Sequence, residues 1–355
     1  MSRPPPALLA FALAACASAS ATPAPHFDLL VRNGVVHDGS GAAPQRVDVA
    51  VRGDRIAALL PAGSDASADR VLDAHGQAVA PGFINVLSWA TESLIADGRG
   101  MSDTRQGVTL QIFGEGGSMG PYNERMKADA LKQQGDIRYP IEWTTLGEYL
   151  EHLEKRGVTP NVASFVGATT VRIHELGEDD VDPDAAQLAR MQDLVRAAMA
   201  EGALGVGSSL IYPPAAFAGT GELVALARAA AESGGGYVSH MRSEADRFLE
   251  ALEETIGIAR ATGQRAEAYH LKAAGQENWP KMAQAIAMIE AARAEGLPVS
   301  ADMYAYTAGG TGLTANLPPW VQAGGHEAMV ARLKDPAVRA RVVAEMRDPD
   351  AGWEN

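Results

Sequence analysis

Two histidines and one glutamate are placed where they could hold a metal ion. His240 lies in Tyr-Val-Ser-His-Met-Arg and His270 in Ala-Tyr-His-Leu-Lys, each at the end of a short apolar run that reads as a β-strand. Imidazole is the commonest protein ligand for divalent metals. A lone histidine in such a place is more often a hydrogen-bonded core residue. Two at matching positions of consecutive strands point to one shared site. Glu115 follows a third apolar run, in Gly-Glu-Gly-Gly-Ser-Met-Gly. The glycines let the backbone turn tightly and bring the carboxylate inward. Two imidazoles and a carboxylate suit a catalytic zinc with one position open for water.

Lys272 follows His270 by two residues, and Arg242 follows His240 by two. On continued strands each would face the same side as its histidine. Both are expected to contact substrate, Lys272 through a substrate carboxylate or, if carbamylated, through a second metal. Tyr212, in Leu-Ile-Tyr-Pro-Pro, and Tyr304 end two further strand-like runs, and their hydroxyls are expected to orient a polar substrate. His174 is a faint further ligand candidate. His26, His37, His75, His152 and His326 fall in a tether, turns or charged segments.

These residues need a scaffold that brings strand ends together. Strand-like runs recur at 79–87, 108–113, 161–166, 203–210, 236–241, 266–271 and 299–304, with helical patterns between them over 146–156, 185–201, 221–233, 244–262 and 279–295. Stop glycines follow those helices at Gly157, Gly202, Gly234, Gly263 and Gly296. Strand–helix alternation predicts parallel βα units. The polar residues fall repeatedly at strand C-terminal ends, which favours a (β/α)8 TIM-type barrel over an open doubly wound sheet. Seven barrel strands are counted, followed by short helices at 327–333 and 336–346. Before them, short strand runs separated by turn residues predict a small β-module over 27–78, part of a β-sandwich. The expected division is 1–26, 27–78 and 79–355.

The 355-residue chain is long enough to bury a barrel-sized core. Its formal charge of −14, with no Lys/Arg-rich run, argues against a nucleic-acid partner. A small-molecule substrate is expected instead. At the N-terminus Arg3 is the only charge before His26, and the run from Ala7 to Ala15 is apolar. This predicts a secretory signal, too short to be a stable bilayer span. Cys16 is the only cysteine and follows Leu13-Ala14-Ala15, a lipobox-like setting that predicts lipidation at Cys16. The chain is therefore expected to be exported, either periplasmic or anchored to a membrane by that lipid. A lone cysteine excludes an internal disulfide framework.

Several stretches carry a family resemblance. Asp28-Leu-Leu-Val-Arg-Asn-Gly, Val51-Arg-Gly-Asp-Arg-Ile and Ala80-Pro-Gly-Phe-Ile resemble the N-terminal passage of the amidohydrolase superfamily. Ser239-His-Met-Arg-Ser-Glu-Ala, Tyr269-His-Leu-Lys and Asp302-Met-Tyr-Ala-Tyr resemble its N-acyl-D-amino-acid deacylase branch. The resemblance implies that His240 and His270 are metal ligands and that Glu115 stands where those deacylases carry a metal-binding cysteine. It implies substrate-recognition roles for Lys272, Tyr304 and Tyr212, the first two near the substrate carboxylate. The chain departs from the family where a His-x-His pair is usual: Leu87 and Trp89 occupy those places. A second metal is therefore not expected. Gly167-Ala168 stands where Gly-His is frequent. The catalytic aspartate of strand eight, and the strands that complete the β-sandwich, would lie beyond Asn355.

The implied reaction is metal-dependent hydrolysis of an amide, deacylating an N-acyl amino acid with one divalent ion, zinc, at Glu115, His240 and His270. The alternatives are a catalytically impaired metal- or ligand-binding lipoprotein, a fragment of a longer enzyme, or a dihydropyrimidinase-like hydrolase of cyclic amides, since one fold supports many reactions.

Overall fold

A computed structural model describes residues 25–348 together with Ala351 and Trp353. The N-terminal leader with Cys16 lies outside the described residues. Among those described, no helix is long and apolar enough to cross a membrane. The chain divides into two compact units between Pro81 and Gly82.

The first unit is a β-module. A four-stranded sheet runs in the order β4 (Arg55–Pro61), β3 (Val47–Arg52), β1 (His26–Arg32), β5 (Ser67–Asp73). β1 pairs antiparallel with β3 and parallel with β5. Phe27, Leu30, Ala50 and Ala66 are buried together. A two-stranded parallel pair joins β2 (Val35–Val36) to β6 (Ala78–Val79). Val79 thus belongs to this unit, not to the first barrel strand as its sequence suggested. Pro81 lacks an N–H for a sheet ladder. The barrel strand begins only after it.

The second unit carries seven parallel strands in sequence order: β7 (Phe83–Asn85), β8 (Val108–Phe113), β9 (Asn161–Ser164) continued after Phe165 by β10 (Val166–Gly167), β11 (Gly205–Ser209), β12 (Gly236–His240), β13 (Ala266–Ala268) and β14 (Val299–Ala301). This is the α/β TIM-type barrel. Every residue of β11 and β12 is buried, as expected for parallel strands covered on both faces. Phe165, Val238 and Tyr269 cluster together. Met191, Val195, Leu226, Leu252 and Ile256 belong to the helices and pack with the strand residues Val206 and Ala266.

Local signals explain where the helices begin and end. Thr145 and Glu148 close a capping box on the helix Leu146–Arg156, and Asp184 and Gln187 do so on Ala185–Ala200. All five expected stop glycines have positive φ, from 69° at Gly263 to 101° at Gly202. Several strands are shorter than their apolar runs. β13 stops at Ala268 and β14 at Ala301, so His270 and Tyr304 sit on loops beyond the strands.

Candidate metal centre

Glu115 leaves β8 on a loop that only glycine allows. Gly114 has φ +105°, and a Cβ there would lie 2.3 Å from the carbonyl oxygen of Phe165. Gly116 has φ +72°, and a Cβ there would lie 2.5 Å from Ser209 Cβ. The loop is pressed against β10 and β11, and Glu115 is buried. His240 ends β12, also buried. His270 adopts φ +38°, which is uncommon for a residue with a side chain. Its backbone N–H donates to Asp302 Oδ1 at 2.7 Å, which holds that turn.

The three side chains converge as the sequence suggested. Glu115 Oε1 lies 3.0 Å from His240 Nδ1 and 3.1 Å from His270 Nε2. The imidazole rings stand 4.4 Å apart and nearly perpendicular, at 82°. One ligand atom from each residue falls within 4.8 Å of the others. Around a tetrahedral zinc with bonds of about 2.0–2.1 Å, neighbouring ligand atoms stand about 3.3 Å apart. The observed separations from Glu115 are close to that. His240 turns Nδ1 toward Glu115, while its buried Nε2 makes no hydrogen bond and lies 3.8 Å from Glu244 Oε1. Two imidazoles and a carboxylate so arranged fit a divalent cation.

The electrostatics describe the same site without a cation. Burial pushes the Glu115 carboxyl up, but hydrogen bonds and charge from His240 and His270 outweigh it and hold it at about 2. Burial pulls His270 down, but Glu115 and Glu244 outweigh it and raise the imidazole to about 9. His270 is then an imidazolium with a carboxylate at each nitrogen, since its Nδ1 lies 2.9 Å from Glu244 Oε1. A carboxylate on the far nitrogen is the usual support of a metal-binding histidine, because it fixes the ring and its tautomer.

Glu244 was not singled out by sequence, where it read as the first residue of a helix. That helix starts at Phe248, and Glu244 lies buried in the preceding loop. The available signal was its place four residues after His240. Asp302 was also missed, although it opens a motif quoted above. Burial pushes its carboxyl up to about 7.

Lys272 reaches the site, though not by strand alternation, because β13 has ended. Its Nζ donates to Glu244 Oε1 at 2.5 Å and to the His270 carbonyl at 3.2 Å. Tyr304 stands beside it, with Lys272 Nζ 5.7 Å from the ring centroid. Tyr212 packs edge-on to His240 at 5.2 Å and its hydroxyl bonds Thr311 Oγ1 at 2.8 Å. Burial raises the Tyr212 hydroxyl above its ordinary pKa. All three line an open cleft of about 910 Å³ that also contains the three candidate ligands.

Arg242 does not join them. Its guanidinium pairs with Glu254, Nε to Oε2 at 3.0 Å, and donates to the carbonyls of Ala216 and Ala218. It lines a separate cavity. The expectation that it binds substrate with His240 is therefore corrected: β12 ends at His240, so alternation does not extend to residue 242. His174 bonds its neighbour Glu175 at 3.1 Å and is absent from the cleft lining.

No family model matches the chain. Individual relatives do. The chain is 36% identical to D-aminoacylase of Alcaligenes xylosoxydans xylosoxydans over 289 residues, 80% of this chain and 58% of that protein. It is 35% identical to N-acyl-D-glutamate deacylase of the same organism, over 80% of this chain and 58% of that one. The chain thus spans somewhat more than half the length of these curated relatives. Among solved structures, the crystal structure of D-aminoacylase superposes with TM-score 0.70 at 34% identity, covering 80% of this chain and 59% of the other. N-acyl-D-glutamate deacylase from Bordetella bronchiseptica, complexed with zinc and a phosphonate inhibitor, also gives TM-score 0.70, at 33% identity over 79% and 59%. Over four-fifths of its length the chain is a homologue of D-aminoacylase and N-acyl-D-glutamate deacylase, and it shares their amidohydrolase fold.

Proposed function

We propose that this protein hydrolyses the amide of an N-acyl-D-amino acid, using one divalent metal ion, zinc, held by Glu115, His240 and His270. The observation that carries the reading is the convergence of those three side chains at one point of the cleft. The D configuration and the acyl amide come from the relatives, which are named for D-aminoacylase and N-acyl-D-glutamate deacylase activity. A bound zinc ion supplies Lewis acidity at the scissile carbonyl and lowers the pKa of a coordinated water.

The chain's own residues do the rest by placement. Glu244 accepts from His270 Nδ1 and keeps that ring turned toward Glu115. Lys272 and Tyr304 border the cleft together and would receive the substrate carboxylate, which fixes the amide over the ligands. Lys272 already lies against Glu244, so substrate binding would share that cation between two carboxylates. The remaining walls include Ile84, Leu87, Ile211 and Met303, an apolar lining suited to an acyl chain.

The test is zinc loading followed by assay against a panel of N-acyl-D- and N-acyl-L-amino acids, beside the His240→Ala/His270→Ala double variant. The expected result is turnover in the D series that the double variant loses together with its zinc. Full zinc occupancy in the double variant would refute the site.

For location we propose export with a lipid at Cys16. Its support is the apolar run Ala7–Ala15 followed by that cysteine. Labelling with a fatty-acid analogue in a bacterial host should mark the wild-type chain and not Cys16→Ala. Equal labelling of both would reject the anchor.

A further inference from the structure

We infer that Trp89 is a positioning residue for the metal centre: its indole N–H occupies one oxygen of Glu115, so that the carboxylate meets the cation through its other oxygen alone. The inference rests on the reading of Glu115, His240 and His270 as a metal site. Trp89 Nε1 donates to Glu115 Oε2 at 2.8 Å, while Glu115 Oε1 faces both imidazoles. The two oxygens are thus assigned different partners. A carboxylate with both oxygens free can chelate an ion or swing between sites. One held at Oε2 by an N–H is fixed in a plane and offers a single donor.

Burial does not explain the position of this side chain. Trp89 is 67% exposed, and a solvent-facing indole gains little from packing. Its polar atom reaches a buried carboxylate, and a hydrogen bond to a charged acceptor is among the stronger kinds. The backbone before it is secured to the strand that carries the acid. Ser88 N donates to the Ile112 carbonyl at 2.8 Å, and Ser88 Oγ to Gln111 Oε1 at 2.7 Å in a buried pair. The indole and the carboxylate are therefore fixed relative to one another through β8. Hydrogen-bond partners just outside a metal's ligands typically contribute 10–100-fold to affinity, and Trp89 stands in that relation to Glu115.

The test uses the full chain and zinc alone. Trp89→Phe keeps an aromatic ring and removes the N–H. Zinc affinity is measured by competition with a chromophoric chelator, stoichiometry by metal analysis, and thermal stability on the metal-free proteins. The expected result is one ion per chain in both proteins, a Kd weaker by about 10- to 100-fold in the variant, and unchanged metal-free melting. Zinc should also shift the tryptophan emission of the wild type by more than that of the variant. Equal affinities would remove the role of Trp89 and leave the metal site standing. A drop in metal-free melting matching the lost affinity would overturn the inference in favour of simple packing. A wild type that binds no zinc would overturn the metal-site reading itself, and this inference with it.

Discussion

At the scale of single residues, the centre is a competition between a proton and a metal ion. Without a cation, His270 is raised to about 9 and Glu115 is lowered to about 2. At neutral pH the histidine is therefore protonated, and an ion that takes its nitrogen must expel that proton. Zinc binding near pH 7 should release about one proton from His270, seen as a dependence of the calorimetric heat on the buffer's ionisation enthalpy. Affinity should rise with pH up to about 9 and then level off. A heat independent of buffer would contradict this assignment. The same shifts set the pH range of the metal-free protein. A raised imidazole stabilises the fold fully below its unfolded pKa of about 6.5. That contribution is lost as pH climbs through about 9. A lowered carboxyl stabilises fully above its unfolded value of about 4.3. That contribution is lost as pH falls through about 2. Metal-free melting should therefore be highest between roughly pH 4.5 and 6.5 as far as this pair is concerned. Glu115→Gln should flatten both flanks. A melting profile unchanged by that substitution would show that the pair contributes nothing.

Elements were more legible in the sequence than the contacts they make. The order of the barrel strands, the helices between them and the five stop glycines follow from periodicity and from the need for positive φ at helix ends. Strand ends were less legible. An apolar run continues past the last ladder bond whenever loop residues are also buried, so the run at 266–271 extends beyond β13, which stops at Ala268. β12 likewise stops at His240, so alternation reaches neither Lys272 nor Arg242. Lys272 reaches the cleft by its loop and Arg242 does not. Glu115, His240 and His270 were legible because their residue types are costly to bury without a purpose. Glu244 and Trp89 were not, since an acid in a helical pattern and an exposed indole both have ordinary explanations until coordinates give their partners. Loop shape yields its own prediction. Gly114→Ala forces a side chain into φ +105° and against the Phe165 carbonyl. It should cost about 1–3 kcal/mol in backbone strain alone, measured by denaturant unfolding, and weaken zinc binding as Glu115 shifts. A variant as stable as the wild type would mean the loop has room to relax.

For the whole molecule, the glycine loop after β8 limits how an ion can enter or leave. Backbone wedged this tightly against β10 and β11 cannot peel away to admit or discharge an ion. Traffic must then pass through the cleft, whose lining includes Trp89, Tyr304 and Tyr306. Slim chelators should strip the protein faster than bulky ones of equal strength, a kinetic sieve set by rigid main chain and not by affinity.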